Sequence, residues 1–145
     1  MVIEYADLEC PYCAKAHLIL KELPIQRVFR HFPVTSKHPR ARALAAAAEA
    51  AALQGKFWEM HDSLLEDQGH LDDPHLWERA KRFDLDLERF EADRRSAEVA
   101  ERVERDFHSG IRAGVATTPT QFLAGVAHPG VPGARFRVAV RSSTG

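Results

Sequence analysis

Val2-Ile3-Glu4-Tyr5-Ala6-Asp7-Leu8-Glu9-Cys10-Pro11-Tyr12-Cys13 is the stretch on which the fold turns. Residues 2–6 have the β-branched and aromatic character of a buried strand, and residues 14–23 read as a helix with a broad apolar side. Pro11 suits the first helical turn, where its missing N–H costs nothing. Cys10 and Cys13 are the only cysteines of the 145 residues. They fall at a strand-to-helix junction, the layout of a thiol–disulfide redox site. A helix N-terminus carries partial positive charge and free N–H groups, and both stabilise a thiolate. Cys10 is therefore placed to act as nucleophile, and Cys13, one turn on, to close a disulfide with it.

Composition narrows the functional classes. The length fits one domain with a real core, and 45% apolar residues mark it as globular. A net charge of −1 leaves no basic footprint for nucleic acid. No apolar run approaches the roughly 20 residues that cross a bilayer. No signal peptide is visible ahead of the first strand, so the expectation is a cytoplasmic protein. The alternative is a periplasmic or exported one whose signal has been removed. Two cysteines cannot build a multi-bridge secreted framework, so the pair reads as functional.

Outward from the motif, Pro24 stops the first helix, and residues 25–32 read as a second strand ended by Pro33. Strand, helix and strand in succession imply a parallel pair. From Pro39 to about Gly114 the pattern is helical. An alanine-rich helix over 41–53 ends at a Gly55 C-cap. Residues 56–66 turn Phe57, Met60, His61, Leu64 and Leu65 inward. Asp73 caps a helix with Pro74 at its first position, Asp86 caps another, and Ser96 caps a longer one with a Val99, Val103, Phe107 and Ile111 stripe. Residues 121–124 read as a strand and 125–130 as a hairpin turn with a short return strand. Residues 134–141 fit both periods; a short final helix is expected there, with 142–145 frayed. The β-containing chain ends imply one α/β sheet domain, residues 1–36 and 115–145, interrupted by a helical domain of residues 37–114.

Three signals bear on chemistry. The cysteine pair allows redox, structural or zinc roles. Zinc needs two further ligands; His17 gives C-x2-C-x3-H, and His31 or His38 would have to supply the fourth. Thr118-Pro119, just before a strand, is a candidate cis bond, the alternative being a trans proline entering an edge strand. Glu4 lies mid-strand in apolar surroundings. If buried, its pKa rises, and it could take a proton from Cys13; otherwise it points to solvent at the sheet's edge. The eight histidines are scattered, and Trp58 and Trp77 are expected in the core of the helical part.

Residues 2–13 resemble the opening of bacterial DsbA-like oxidoreductases. So do Val28-Phe29-Arg30-His31-Phe32-Pro33, Gln54-Gly55-Lys56-Phe57-Trp58-Glu59-Met60-His61 and Thr118-Pro119-Thr120. The resemblance runs in order over nearly the whole chain. It implies a thioredoxin-like fold with an inserted α-helical domain, with Cys10 as exposed nucleophile and Cys13 as its buried partner. Thr118 and Pro119 match the family's cis-proline loop, which presents backbone to a substrate chain, and Glu4 matches its buried acid. Pro11, Tyr12, Thr118 and Pro119 are then the substrate-binding residues. Among the departures, the segment ahead of the first strand is absent and the connection at Pro24 is short. Pro-Tyr also replaces the Pro-His of strongly oxidising members. Losing that histidine, with Glu9 next door, should raise the Cys10 pKa and make the disulfide less oxidising.

The expected function is thiol–disulfide exchange with protein substrates through a mixed disulfide on Cys10. It needs no metal or organic cofactor, but does need a redox recycling partner. The alternatives are a glutaredoxin-like, glutathione-dependent reductase, against which the long helical insert argues, and a non-enzymatic redox-sensing or zinc-binding adaptor.

Overall fold

In the computed structural model, which describes residues 1–144, a four-stranded sheet runs in the order β2-β1-β3-β4. β1 (Val2–Ala6) leads into α1 (Pro11–Leu20), which returns to β2 (Arg27–His31). β1 and β2 are parallel, with Glu4 opposite Phe29. Five helices follow: α2 (Ala41–Ala52), α3 (Phe57–Glu66), α4 (Asp73–Arg82), α5 (Leu87–Arg94) and α6 (Ala97–Arg112). The chain then re-enters the sheet as β3 (Thr120–Leu123), antiparallel to β1 with Glu4 opposite Gln121, and hairpins into β4 (Val126–Pro129). Ala124 and Gly125 make the hairpin turn, both at positive φ. α7 (Ala134–Thr144) closes the chain. It is the expected helix, with Phe136 and Val140 buried. Residues 142–144 continue it rather than fraying; Gly145 lies outside the described residues.

Strand alternation divides the β1 side chains between two faces. Val2 packs with Leu20 of α1, Leu123 and the Phe136 and Val140 pair of α7. On the other face, Ile3 and Tyr5 pack with Phe32, Phe107 and Phe122 beneath α6. The cysteines share a third core, formed by Ala6, Leu8 and Phe29 with Leu44, Met60, Leu64, Leu76 and Phe90 of the inserted helices. The insertion is thus built onto the redox motif's own core.

α6 sits hard against the sheet. Its Gly110 has no room for a side chain: a Cβ there would lie 2.6 Å and 2.8 Å from the Phe32 ring and 2.9 Å from that of Tyr5. Phe107 stacks on Phe32 at 4.6 Å, and Asp106 accepts the His31 N–H at 3.0 Å. Gly110→Val is expected to destabilise the fold by about 1–3 kcal/mol through overpacking. Urea unfolding measures this, and an unchanged midpoint would mean that the helix is free to move away.

Local details differ from the sequence expectations. Asp72, not Asp73, is the N-cap of α4 and accepts the His75 N–H, because Asp73-Pro74 occupy the first helical positions. Asp86 and Ser96 cap as expected. Ile111 is 54% exposed, since the stripe of α6 turns through Gly110 where it meets the sheet. Trp58 and Trp77 are not core residues. Their exposures are 39% and 37%, because Trp58 stacks under Arg27 and Trp77 donates its indole N–H to Glu91 at 2.8 Å.

Candidate active site

Cys10 is the N-cap of α1, in extended conformation, with Pro11 at the first helical position. Its N–H donates to the Asp7 carbonyl at 3.1 Å. Cys13 lies beneath it, and the Asp7 N–H points at the Cys13 sulfur at 3.4 Å. Cys10 is 3% exposed and Cys13 1%, so Cys10 is not the exposed member that the family resemblance implies. It reaches solvent through a groove of about 240 Å³ lined by Cys10, Tyr12, Val34, His38 and residues 116–118. Pro11 also lines that groove, and Tyr12 is 60% exposed.

The two thiols are driven apart in acidity. Cys10 is lowered to about 5, first by the hydrogen bond from the Cys13 thiol, which outweighs the opposing effect of burial, and then by backbone N–H groups of Cys13 and Tyr12 and by contact with Thr118. Burial pushes the Cys13 thiol up, and the hydrogen bond it donates to the Cys10 sulfur pushes it further. One sulfur is therefore a thiolate at neutral pH and the other holds its proton.

The Thr118-Pro119 bond is cis. The loop brings the Thr118 carbonyl to 4.0 Å from the Cys10 sulfur, while the Pro119 carbonyl accepts the Gly130 N–H at 2.8 Å. The cis bond expected from the proline before a strand is present, and the fold brings its loop to the cysteines.

Glu4 is buried, at 2% exposure, and not at the sheet's edge. Burial raises its pKa, partly offset by the Arg27 guanidinium, which donates to Glu4 Oε1 at 3.3 Å. The Gln121 amide nitrogen lies 3.4 Å from Glu4 Oε2. Turned about its amide, Gln121 instead donates to the carbonyls of His128 and Gly130 at 3.1 Å and 3.2 Å. Its oxygen then faces Glu4, and only a protonated Glu4 can donate to it. Glu4 also raises Cys13 electrostatically, so the acid and the buried thiol sense each other's charge.

Sequence reasoning missed Arg27 and Asp7, and offered His38 only as a possible zinc ligand. Arg27 bridges Glu4 and His17, lying 3.3 Å from His17 Nδ1. His17 Nε2 meets Glu66 at 2.7 Å, so the histidine that could have extended the cysteine pair towards a zinc site is engaged on the helical side. His17, His61 and Asp62 do bring ligand-type atoms within 4.8 Å of one another. Arg27, and Lys21 on Glu66 at 3.7 Å, supply positive charge there. His31 bonds Glu49 at 2.8 Å, and His38 bonds Asp7. A cavity of about 500 Å³ contains neither cysteine; it lies beside Ile3, Tyr5 and Phe122 on the α6 face of the sheet.

Solved structures share this fold. A thioredoxin-like oxidoreductase from Silicibacter pomeroyi superposes with a TM-score of 0.83 at 25% identity, over 99% of this chain and 85% of that one. The thiol-disulfide exchange protein α-DsbA2 from Wolbachia pipientis superposes with 0.83 at 16% identity, over 98% and 80%. In sequence, the chain is 47% identical over 137 residues to a protein named Na(+)/H(+) antiporter NhaA 3 from Salinispora tropica, covering 89% of this chain and 21% of that one. A protein named NhaA 1 from Mycolicibacterium vanbaalenii is 38% identical over 138 residues, covering 90% and 22%. The chain spans about a fifth of the length of these curated relatives. The family model described as thioredoxin matches residues 1–130. The match covers the strand, helix and cysteine pair that open the chain, the helical insertion between β2 and β3, and the return to the sheet, and the chain belongs to the thioredoxin family.

Proposed function

We propose that this chain exchanges its Cys10–Cys13 dithiol or disulfide with cysteines of protein substrates, through a mixed disulfide on Cys10. The observation that carries this is the opposed acidity of the two thiols, with Cys10 lowered to about 5 and Cys13 pushed up by burial, beside a groove that ends on the Thr118 carbonyl. In the oxidising direction a substrate thiolate attacks the Cys10 sulfur and the Cys10–Cys13 bond breaks. Cys13 leaves with a proton from Glu4, and a second substrate thiolate then releases Cys10. In the reducing direction Cys10 attacks, Cys13 resolves, and Glu4 accepts the Cys13 proton. The groove takes an extended chain alongside Thr118, and a separate redox partner restores the starting state.

Stabilising the Cys10 thiolate stabilises the reduced form and so makes the disulfide more oxidising. Thioredoxin, with a nucleophile near 7, and DsbA, near 3.5, bracket the Cys10 value. The expected reduction potential lies between theirs, roughly −270 to −120 mV. Equilibration in glutathione buffers with counting of free thiols measures it. Both thiols should be lost together within that window. Thiols that never pair, or zinc bound at one per chain and lost in Cys10→Ser, would replace this reading with the adaptor one.

A further inference from the structure

The Asp7 carboxylate and the His38 ring have no part in the chemistry described so far, and His38 lines the groove. Asp7 is fully buried, and its partner His38 is 19% exposed. A buried carboxylate needs partners to stay charged, and Asp7 has three. Its Oδ1 accepts the Glu9 N–H at 2.8 Å. Its Oδ2 accepts the Val34 N–H at 2.8 Å and His38 Nδ1 at 2.9 Å. The Val34 carbonyl in turn accepts the N–H groups of Lys37 and His38, and the His38 carbonyl accepts the Ala41 N–H. The turn carrying His38 is thus pinned to the loop that leads into Cys10.

This geometry fixes the histidine's chemistry. With Nδ1 donating to a carboxylate, a neutral imidazole has its free lone pair at Nε2. His38 Nε2 makes no hydrogen bond among the described residues, and the ring lines the same groove as Cys10 and Thr118. A carboxylate that fixes a histidine tautomer, with the other nitrogen facing a reacting group, is the arrangement of a general base. Cys10 does not need one. Its acidity is set chiefly by the Cys13 thiol, which outweighs burial, with the Cys13 and Tyr12 backbone and Thr118 adding to it. The thiol that lacks a base is the incoming one: a free cysteine has a pKa of about 8.5 and is mostly protonated at neutral pH.

We propose that His38, held by Asp7, is the general base for the substrate's thiol. This rests on the exchange function above and adds a catalytic residue to it. The substrate S–H bond breaks and its proton passes to His38 Nε2. The thiolate forms the intermolecular S–S bond to Cys10 as the Cys10–Cys13 bond breaks, and Cys13 takes its proton from Glu4. A second substrate thiolate displaces Cys10, and His38 returns its proton to solvent. Two substrate thiols become a disulfide, and their two electrons reduce the cysteine pair. In reverse, the imidazolium protonates the departing substrate thiolate. Asp7 is a positioning residue, since it acts only through His38. Cys10, Tyr12 and Lys37 are the other titratable groups that line this groove. Glu9 is set back, accepting the Arg40 N–H at 2.7 Å.

The test is the single-turnover oxidation of a dithiol peptide by the pre-oxidised protein, followed from pH 5.5 to 9.5 in wild type, His38→Asn and Asp7→Asn. Asparagine at position 38 keeps an N–H donor for Asp7. At pH 6.5 the His38→Asn rate should fall by at least about tenfold, and at pH 9.5, where the peptide is already thiolate, it should approach wild type. Asp7→Asn should show the same pH-dependent defect in weaker form. The Cys10 thiolate titration should be unchanged in His38→Asn. A defect of the same size at every pH would make His38 structural, a shifted Cys10 titration would make it a tuner of Cys10, and full activity at pH 6.5 would leave it no role; each overturns the proposal. If the wild type itself does not oxidise the peptide, the exchange function fails rather than this residue's part in it.

Discussion

Cys10→Ser is expected to lower exchange with a cysteine peptide by about a thousandfold or more, the scale of loss when a covalent nucleophile is removed. The oxygen of serine cannot form the sulfur–sulfur bond on which every step depends. Cys13→Ser should behave differently: it keeps a reactive sulfur at Cys10 but removes the resolving thiol. In Cys13→Ala, which offers the thiolate no donor, Cys10 should be less acidic than in wild type, because the thiol hydrogen bond from Cys13 is the largest influence lowering it. The sign for stability follows. The folded Cys10 pKa, about 5, lies below the ordinary thiol value. The reduced fold therefore holds its full thiolate-linked stabilisation above the unfolded thiol's pKa, and loses it as pH falls through about 5. Urea unfolding of the reduced protein between pH 9 and 4 should show a loss that is absent in Cys10→Ser. Thiolate absorbance should titrate near pH 5 in wild type and well above it in Cys13→Ala.

Glu4→Gln carries the second large effect. Glu4 is the one buried acid on the α1 face of β1, paired with Arg27 and facing Gln121. Glutamine preserves its shape and a contact with Arg27, but it carries no transferable proton. Attack by Cys10 on a disulfide should be unchanged within about twofold, because Cys10 is already a thiolate. Resolution by Cys13, whose thiol burial holds protonated, should slow by about a hundredfold, the lower range for loss of a positioned acid or base. Burial raises the Glu4 pKa, so the wild-type resolution rate should climb with pH through a range above that of an ordinary carboxylate. Glu4→Gln should lack that climb. Rapid-quench separation of the two steps measures this, and equal slowing of both would mean that Glu4 matters for the fold of β1 rather than for proton transfer.

Much of this was legible in the chain because it rests on local chemistry. The strand-to-helix cysteine motif, the apolar setting of Glu4 and the proline after Thr118 each report on their immediate neighbours, and together they point to one sheet. The final helix was harder, since residues 134–141 satisfy two periods. Tertiary contact decides it: Phe136 and Val140 sit four apart and both reach the core of Val2, Leu20 and Leu123. The tryptophans misled because a large apolar side chain with a polar edge can be held on the surface by a partner, as Arg27 holds Trp58 and Glu91 holds Trp77. The low exposure of Cys10 was also out of reach of the sequence, because it packs with the inserted helices and beside residues 116–118, more than a hundred positions away. Arg27 and the Asp7–His38 pair were illegible for the same reason. Neither pairing has a characteristic spacing, and only the fold shows that residue 38 returns to residue 7.

The claim on which the account rests is that Cys10, and not Cys13, joins covalently to a substrate. Cys13→Ser tests it directly. The reduced variant is mixed with a peptide containing one disulfide, quenched with acid and analysed by mass after digestion. The account predicts a stable adduct of one peptide per chain, joined by a disulfide to the fragment containing Cys10 and released by a reductant. Absence of any adduct from Cys13→Ser, or an equally abundant adduct on Cys13 in Cys10→Ser, would contradict it.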